Sequence, residues 1–184
     1  MPTEPKAAPV DAIAETARQW LRNEWANPLA MYTVTSMIRS DQIVQSMMEQ
    51  TLSKFDLTVA RYEVLVILRF SKLGEMPLAR ISERLQVHPT SLTTVVDRLA
   101  DHGFIERKPH PSDRRATLAV MTALGREAVE KAQLAVADEV FASTGLNARE
   151  QRQLVSLLNK VRMAAGDSID QSILPLIWRA SDTE

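Results

Sequence analysis

The chain has 184 residues, of which 45% are hydrophobic and 24% are charged, and this is the size and composition of one folded domain with room for an appendage. These proportions exclude wholesale disorder and a fibrous repeat, and the absence of cysteine excludes disulfides, thiolate metal sites and thiol nucleophiles. The formal charge of −1 does not indicate a nucleic-acid partner, so any such partner has to be argued from local clusters of charge.

The N-terminal residues 1–12 contain three prolines and no apolar run of signal-peptide length. We predict a disordered tail here and expect a cytoplasmic protein without a membrane partner, because no stretch approaches the ~20 apolar residues that cross a bilayer. Apolar residues at helical spacing then predict a short helix from about Ile13 and a long amphipathic helix from Pro28 to Lys54. The second helix is long enough to cross a dimer interface.

A buried helix is predicted from Val59 to Phe70. Its aliphatic run would also suit a strand by propensity alone. The flanks favour a helix, because Thr58 is a typical N-cap residue and Gly74 closes the loop that follows.

Two short helices are predicted next, from about Pro77 to Gln86 and from about Pro89 to His102, with a tight turn between them and Gly103 at the end. Two such helices form a helix-turn-helix. The residues of the second helix predicted to face the core are Leu92, Val95, Val96 and Leu99.

A β-hairpin follows, with strands predicted at Phe104 to Lys108 and Arg115 to Met121 and a polar, basic tip. Thr122 then begins a helix that ends near Phe141, and Asn147 begins another through a capping box with Glu150. Apolar spacing between residues 168 and 178 predicts a short closing helix. The sequence therefore predicts a mainly α protein with a small β-hairpin wing.

Positive charge is concentrated at the hairpin, since residues 104–115 hold four basic and two acidic residues. A helix-turn-helix followed by a basic hairpin is the order of elements that a major-groove reader with a wing requires. The exposed face of the second helix carries small hydrogen-bonding side chains that allow a close approach to base edges. The predicted DNA-binding residues are Thr90, Ser91, Thr93, Thr94 and Arg98 in the helix and Arg107, Lys108, Arg114 and Arg115 in the hairpin.

Several runs of the sequence form a recognisable pattern. They are Leu57 to Leu65, Leu85 to Ser91, Val96 to Arg107, Asp113 to Arg115, and Met121 to Arg126. Over roughly residues 30 to 165, the sequence resembles the MarR family of winged-helix transcription regulators. The resemblance implies a winged helix-turn-helix with N- and C-terminal dimerisation helices. The expected domains are a tail at 1–12, dimerisation helices at 13–56, the DNA-binding domain at 57–121, and further dimerisation helices at 122–184.

The resemblance also implies how DNA is bound. A homodimer would place two recognition helices in successive major grooves of a pseudo-palindromic operator, with half-sites ~34 Å apart. Arg115 would reach into the minor groove, and Asp113 would hold it by an ion pair. Many relatives carry arginine at the position of Thr94, so one contact common in the family is expected to be missing.

In this family DNA is usually released by a small effector, which the resemblance places between the dimerisation helices and the winged helix. The expected effector is a phenolic or aromatic acid, another lipophilic acid, or an acyl thioester. The candidate effector-binding residues are Met31, Tyr32, Arg39, Met47, Arg61, Tyr62 and Glu63. Each of them has an ordinary alternative as a core or surface ion-pair residue.

Two other functions stay open from the sequence. A winged helix can serve as a dimerisation or protein-interaction module that does not bind DNA. An enzyme built from helices alone is the weaker alternative, because the sequence has no Ser/His/Asp arrangement, no Glu-x-x-His pair and no glycine-rich phosphate loop. The three histidines, at positions 88, 102 and 110, fall in the predicted DNA-facing region. We therefore expect a repressor with no catalytic residue, no cofactor and no metal.

Overall fold

The structure is a computed structural model that describes residues 10–113 and 116–181. Most of the predicted tail at residues 1–12 lies outside these ranges, as do Arg114 and Arg115 of the predicted wing. The chain divides into two compact units, the first ending at Phe141 and the second beginning at Ala142.

Two helices open the first unit, as the apolar spacing predicts. Helix α1 spans Ala12–Arg22, and the Asp11 side chain caps it by accepting hydrogen bonds from two backbone amides of its first turn. Helix α2 spans Pro28–Ser53, with proline in the first turn, where the missing N–H costs no helical hydrogen bond. α1 packs against α2, and the rings of Trp20 and Trp25 meet edge to face at a centroid distance of 4.8 Å.

Helix α3 spans Val59–Phe70. The Thr58 side chain accepts a hydrogen bond from an amide of the first turn and so begins the helix where the sequence predicts. Val64, Leu65 and Leu68 are buried, as the helical assignment of this aliphatic run requires.

The helix-turn-helix consists of α4, Leu78–Leu85, and α5, Pro89–Asp101. Gln86 ends α4 in the left-handed region, with φ of 53°, and Gly103 has φ of +71° after α5. A short strand β1, Glu75–Pro77, precedes α4. This strand is absent from the sequence-based prediction, which starts the helix at Pro77.

The predicted hairpin is present as β2, Ile105–Pro109, and β3, Thr117–Met121. The sheet order is β1-β3-β2, and both pairings are antiparallel. β3 is therefore the central strand, and β1 supplies hydrogen-bond partners for its second edge. Leu118, Ala119 and Met121 of β3 are buried.

Helix α6, Ala123–Val136, continues into a π-helical turn at Ala137–Phe141, so the predicted end near Phe141 is confirmed. Thr122 caps α6 through a 3.0 Å hydrogen bond from the Gly125 amide to its hydroxyl. The core of the first unit lies between α2, α3, α5 and α6. Its largest fully buried side chains are Leu52, Leu65, Leu68, Ile81, Leu99, Val64, Val96 and Val136.

The second unit contains α7, Ala148–Ala164, a 3₁₀ turn at Gln171–Ile173, and α8, Leu174–Ser181. The predicted capping box of Asn147 and Glu150 is present at the start of α7. Neither helix buries a residue, so both carry apolar side chains on the surface of the isolated chain. Within the described ranges, no helix is both long enough and apolar enough to cross a bilayer.

Candidate nucleic-acid interface

Helix α5 has one apolar and one polar face. Leu92, Val96 and Leu99 are buried against the core, and Val95 is half-buried. The opposite face is exposed and carries every helical residue that the sequence predicts to contact DNA. These residues are Thr90, Ser91, Thr93, Thr94 and Arg98.

The hydroxyl groups on this face differ in their availability. The Thr93 hydroxyl donates to the carbonyl of Pro89 at 3.0 Å, and the Thr94 hydroxyl donates to the carbonyl of Thr90 at 3.5 Å. The side chains of Thr90 and Ser91 make no hydrogen bond to any described residue. The two hydroxyls at the N-terminal end of α5 are therefore free to bond to a partner.

The turn before α5 is fixed by two local hydrogen bonds. The His88 ring nitrogen Nδ1 accepts from the Thr90 amide at 3.3 Å and caps the helix. The buried Ser82 hydroxyl donates to the carbonyl of Val87 at 2.6 Å, which ties α4 to the turn. The start of α5 is thus held in one orientation by α4.

The basic residues near α5 are held by carboxylates. Arg107 of β2 makes an ion pair with Asp97 of α5, which joins the wing to the recognition helix. Lys108 and Glu106 pair along β2 at 2.9 Å. Arg98 lies 3.9 Å from Asp101, and both side chains are about two-thirds exposed, so this pair is weak in water.

Backbone hydrogen bonds join the described residues on the two sides of the wing tip. The His110 amide donates to the carbonyl of Ala116 at 3.0 Å, and the Ala116 amide donates to the carbonyl of Asp113 at 3.0 Å. Asp113 is exposed. Because Arg114 and Arg115 lie outside the described residues, the structure does not place the arginines expected at the tip.

A cavity of about 700 Å³ lies between α3 and α6. Tyr62 is only 7% exposed, and burial raises the pKa of its phenol above the usual value. Arg69 makes a 2.9 Å ion pair with Glu130 beside the cavity. The lining residues are Tyr62, Val66, Arg69, Phe70, Val129, Glu130, Gln133, Leu134 and Phe141.

Of the seven residues predicted to bind an effector, Tyr62 lines this cavity. Arg61 and Glu63 flank Tyr62 in α3, and the other four lie along α2, where Met31 and Met47 are half-buried and Tyr32 and Arg39 are exposed. The remaining lining residues escaped prediction because they come together only when α3 packs on α6. The apolar stripe of α6 is the sequence feature that could have indicated these lining residues.

A polar network fixes the C-terminal end of α2 beside the π-helical turn. Lys54 Nζ lies 2.6 and 2.7 Å from the two carboxylate oxygens of Glu139, and the Thr51 hydroxyl donates to the same group at 2.9 Å. Hydrogen bonds from Lys54 and then Thr51 lower the pKa of the Glu139 carboxyl. The same turn contributes Phe141 to the cavity, so the network connects the cavity wall to α2.

In the part of the chain that the structure describes, no three His, Asp or Glu side chains lie together as metal ligands would. The elements brought together are instead an exposed polar helix, the turn that orients it, and a hairpin joined to it by an ion pair. A helix-turn-helix followed by such a hairpin defines the winged-helix class of DNA-binding proteins.

Comparison with known sequences agrees with this class. A family model described as the MarR family matches residues 57–117. The chain is 33% identical to an HTH-type transcriptional regulator of Bacillus cereus, covering 68% of this chain and 83% of the relative. It is 32% identical to the repressor IacR of Pseudomonas putida, covering 62% and 68%, and 30% identical to the multiple antibiotic resistance protein MarR of Escherichia coli, covering 62% and 80%.

Solved structures have the same fold. Sco5413, a MarR family regulator from Streptomyces coelicolor, is 40% identical with a TM-score of 0.68, covering 76% of this chain and 98% of that one. A mutant of Escherichia coli MarR in complex with operator DNA is 28% identical with a TM-score of 0.64, covering 70% and 93%. BpsR of Bordetella bronchiseptica, whose DNA binding is regulated by 6-hydroxynicotinic acid, is 28% identical with a TM-score of 0.61, covering 69% and 90%.

The chain belongs to the MarR family of DNA-binding transcriptional regulators, as the resemblance in the sequence implies. Members of this family regulate transcription and are not enzymes. The helical-enzyme alternative is thereby set aside.

Proposed function

We propose that this protein is a dimeric, ligand-responsive repressor that binds a pseudo-palindromic operator and releases it when a small acidic effector binds. The observation that carries the proposal is the exposed, hydroxyl-rich face of α5, joined by Asp97 and Arg107 to the hairpin. The operator complex of Escherichia coli MarR supports it, because that protein has the same fold and binds DNA.

In this proposal the two ends of the interface have different roles. Thr90 and Ser91 offer hydroxyls to base edges or phosphates in the major groove, with Thr93, Thr94 and Arg98 along the same face. On the hairpin, Arg107, Lys108 and Arg114 contact the backbone, Arg115 reaches into the minor groove, and Asp113 orients Arg115. Two-fold symmetry places a second such surface about one helical turn away, ~34 Å along the duplex.

We infer that the cavity between α3 and α6 receives the effector. A volume of about 700 Å³ is in the range of small-molecule sites. The Tyr62 hydroxyl makes no hydrogen bond within the described ranges and is a ready partner for a carboxylate. BpsR supports an aromatic acid as the chemical class, and a lipophilic acid or acyl thioester fits the same apolar walls. Contacts from Met31, Tyr32, Arg39, Met47, Arg61 and Glu63 stay a prediction.

Operator binding tests the first part of the proposal. In anisotropy titrations with a palindromic fragment from the protein's own upstream region, we expect Arg115→Ala to weaken binding by about 1–3 kcal/mol. Arg114→Ala, which removes a proposed phosphate contact, should make the slope of log affinity against log salt less negative by about 0.9. Arg22→Ala, at an exposed position of α1, serves as the control.

An unchanged affinity of Arg115→Ala would remove the wing from the mechanism. A well-folded dimer that binds no duplex at any salt concentration would favour the dimerisation module instead.

A thermal-shift screen of aromatic acids and acyl thioesters tests the effector part. Compounds that raise the melting temperature should also release the operator duplex, because an effector that favours the DNA-free state must bind it more tightly. Stabilisation without release would contradict a regulatory role for the cavity.

A further inference from the structure

A second cavity, of about 480 Å³, lies in the first unit where the hairpin meets α4 and β1. Its basic residue types come from three separate elements. Lys72 lies in the loop after α3, Arg80 and Arg84 lie on α4, and His110 lies at the end of the hairpin. This cavity shares Phe70 with the effector cavity, and none of the predicted DNA-binding residues that the structure describes lines it.

The lysine and the two arginines of the lining have no carboxylate partner among the residues that the structure describes. Neither Lys72, Arg80 nor Arg84 forms an ion pair with a residue in the described ranges. One carboxylate, Glu75, is among the described lining residues, so the cavity has an excess of positive charge. A concave surface of one sign focuses its field and attracts an anion.

The rest of the lining is apolar. Met76 and Leu118, each 6% exposed, are buried residues of the cavity wall. Phe70 and Leu73 border it while 79% and 78% exposed. A bare phosphate or a DNA backbone gains little from such side chains, whereas a ligand with an apolar body would cover them. The combination of free cations and uncovered apolar groups therefore indicates an amphipathic anion.

Two further polar groups in the lining are ready to bind. The Ser71 hydroxyl oxygen is buried and has no hydrogen-bond partner among the described residues, which is costly unless a ligand or water satisfies it. The His110 nitrogen Nδ1 accepts a hydrogen bond from the Ser112 amide at 3.3 Å. Its Nε2 is then the ring nitrogen that can donate to a ligand.

We propose that this cavity binds a small amphipathic anion, such as an aromatic or acyl carboxylate, sulfonate or phosphate monoester. Its charged group pairs with Arg80, Arg84 and Lys72, and its apolar body covers Phe70 and Leu73. Because His110 belongs to the hairpin and the arginines belong to α4, an occupant joins the wing to the helix-turn-helix. The site shares Phe70 with the effector cavity but takes its lysine and arginine residues from α4 and the loop after α3, and its occupancy is measurable without DNA.

Methionine-methyl NMR of the full-length protein tests the proposal at this site. The chain has eight methionines, and Met76 lines the cavity, so its ¹³C-methyl signal is a local reporter once Met76→Leu has assigned it. Naphthalene-2-sulfonate serves as the probe. We expect the Met76 signal to shift saturably with this anion. The neutral naphthalene-2-methanol and the DNA-backbone mimic dimethyl phosphate should need at least about tenfold higher concentrations, the factor expected for one lost strong contact.

A charge-matched pair of variants completes the experiment. Arg80→Gln combined with Arg84→Gln should raise the dissociation constant read at Met76 by at least about tenfold. Arg18→Gln combined with Arg22→Gln, at exposed positions of α1 that do not line the cavity, should leave it within about twofold, since exposed charges outside the cavity are screened.

Any one of four contrary results overturns the proposal. An unmoved Met76 signal means that no ligand enters the cavity, and equal binding of the alcohol means an apolar cavity without anion recognition. Equal binding of dimethyl phosphate means a contact site for the DNA backbone. Unchanged binding to the Arg80→Gln, Arg84→Gln protein removes the arginines from the site. The three probe comparisons use the wild-type chain and decide the question even if that variant fails to fold.

Discussion

Gly125 lies in the first turn of α6, which packs against the backbone between α5 and β2. The hydroxyl of the preceding Thr122 donates to the carbonyl of Gly103 at 2.7 Å, and the Thr122 amide donates to that of Phe104 at 3.1 Å. A Cβ atom at Gly125 would stand 2.0 Å from the Phe104 carbonyl oxygen. The missing side chain therefore allows the first turn of α6 to approach the backbone at the start of the wing.

The first prediction is that Gly125→Ala destabilises the protein. In an open helix this change stabilises by about 1 kcal/mol. Here the clash with backbone should instead lower the free energy of unfolding by about 1–3 kcal/mol, the usual cost of overpacking. Urea denaturation measures the difference. A higher unfolding midpoint for the variant would contradict the close approach.

Among single-residue interactions, the sequence predicts those between residues that are close together along the chain. The caps Thr58 and Thr122 and the capping box at Asn147 join atoms within a few residues of each other. The ion pair of Arg107 with Asp97 was not predicted, because it depends on how β2 packs beside α5. The unpaired arginines of the second cavity escaped prediction for the same reason.

At the scale of elements, α5 combines two requirements in one helix. Its buried face is needed by the core, whereas the hydroxyls of Thr90 and Ser91 add nothing to the fold that alanine would not. Thr90 and Ser91 make no hydrogen bond to described residues, and alanine has the higher helix propensity. Stability and DNA affinity should therefore respond in opposite directions to their removal.

The second prediction is that the double substitution Thr90→Ala, Ser91→Ala leaves the free energy of unfolding unchanged or raised and weakens operator binding. The expected loss is about 1–3 kcal/mol for each base contact removed. Calorimetric melting and anisotropy titration on the same preparation measure both quantities. Loss of stability together with affinity would mean that the hydroxyls support the fold rather than the interface.

The helices follow from the sequence because apolar periodicity and caps are local and strong over ten or more residues. β1 could not be predicted, since Glu75–Pro77 is three residues long, contains proline and becomes a strand only by pairing with β3. The sequence predicts an ordinary helix at Ala137–Phe141, where the structure has a π-helical turn. Its extra residue per turn leaves no mark in the apolar spacing at this length.

For the molecule as a whole, the second unit stands out because its helices bury no residue. α7 buries none of its residues, and Leu154, Leu157, Leu158 and Val161 are all more than one-third exposed. An amphipathic helix gains most of its stability by burying such a stripe. A second copy of the chain is the partner that the proposed dimer supplies.

The third prediction follows from this exposure. Leu154→Glu combined with Leu158→Glu should convert the dimer to a monomer in sedimentation velocity, because a charge cannot be buried unpaired at an interface. Gln153→Glu, at an exposed polar position of the same helix, should leave the dimer intact. A double variant that still sediments as a dimer would place the interface elsewhere.

The proposed DNA-binding role of α5 is tested most directly by measuring whether DNA covers its exposed face. The chain has no cysteine, so Ser91→Cys introduces a single thiol on that face, and Ser143→Cys introduces one in an exposed loop after α6. The rate of thiol modification is measured with and without saturating operator duplex. With bound DNA we expect at least about tenfold slower modification at position 91 and no change at position 143, since a contact buried against base edges excludes the reagent. Equal rates at position 91 with and without bound DNA would contradict DNA binding by this face of α5.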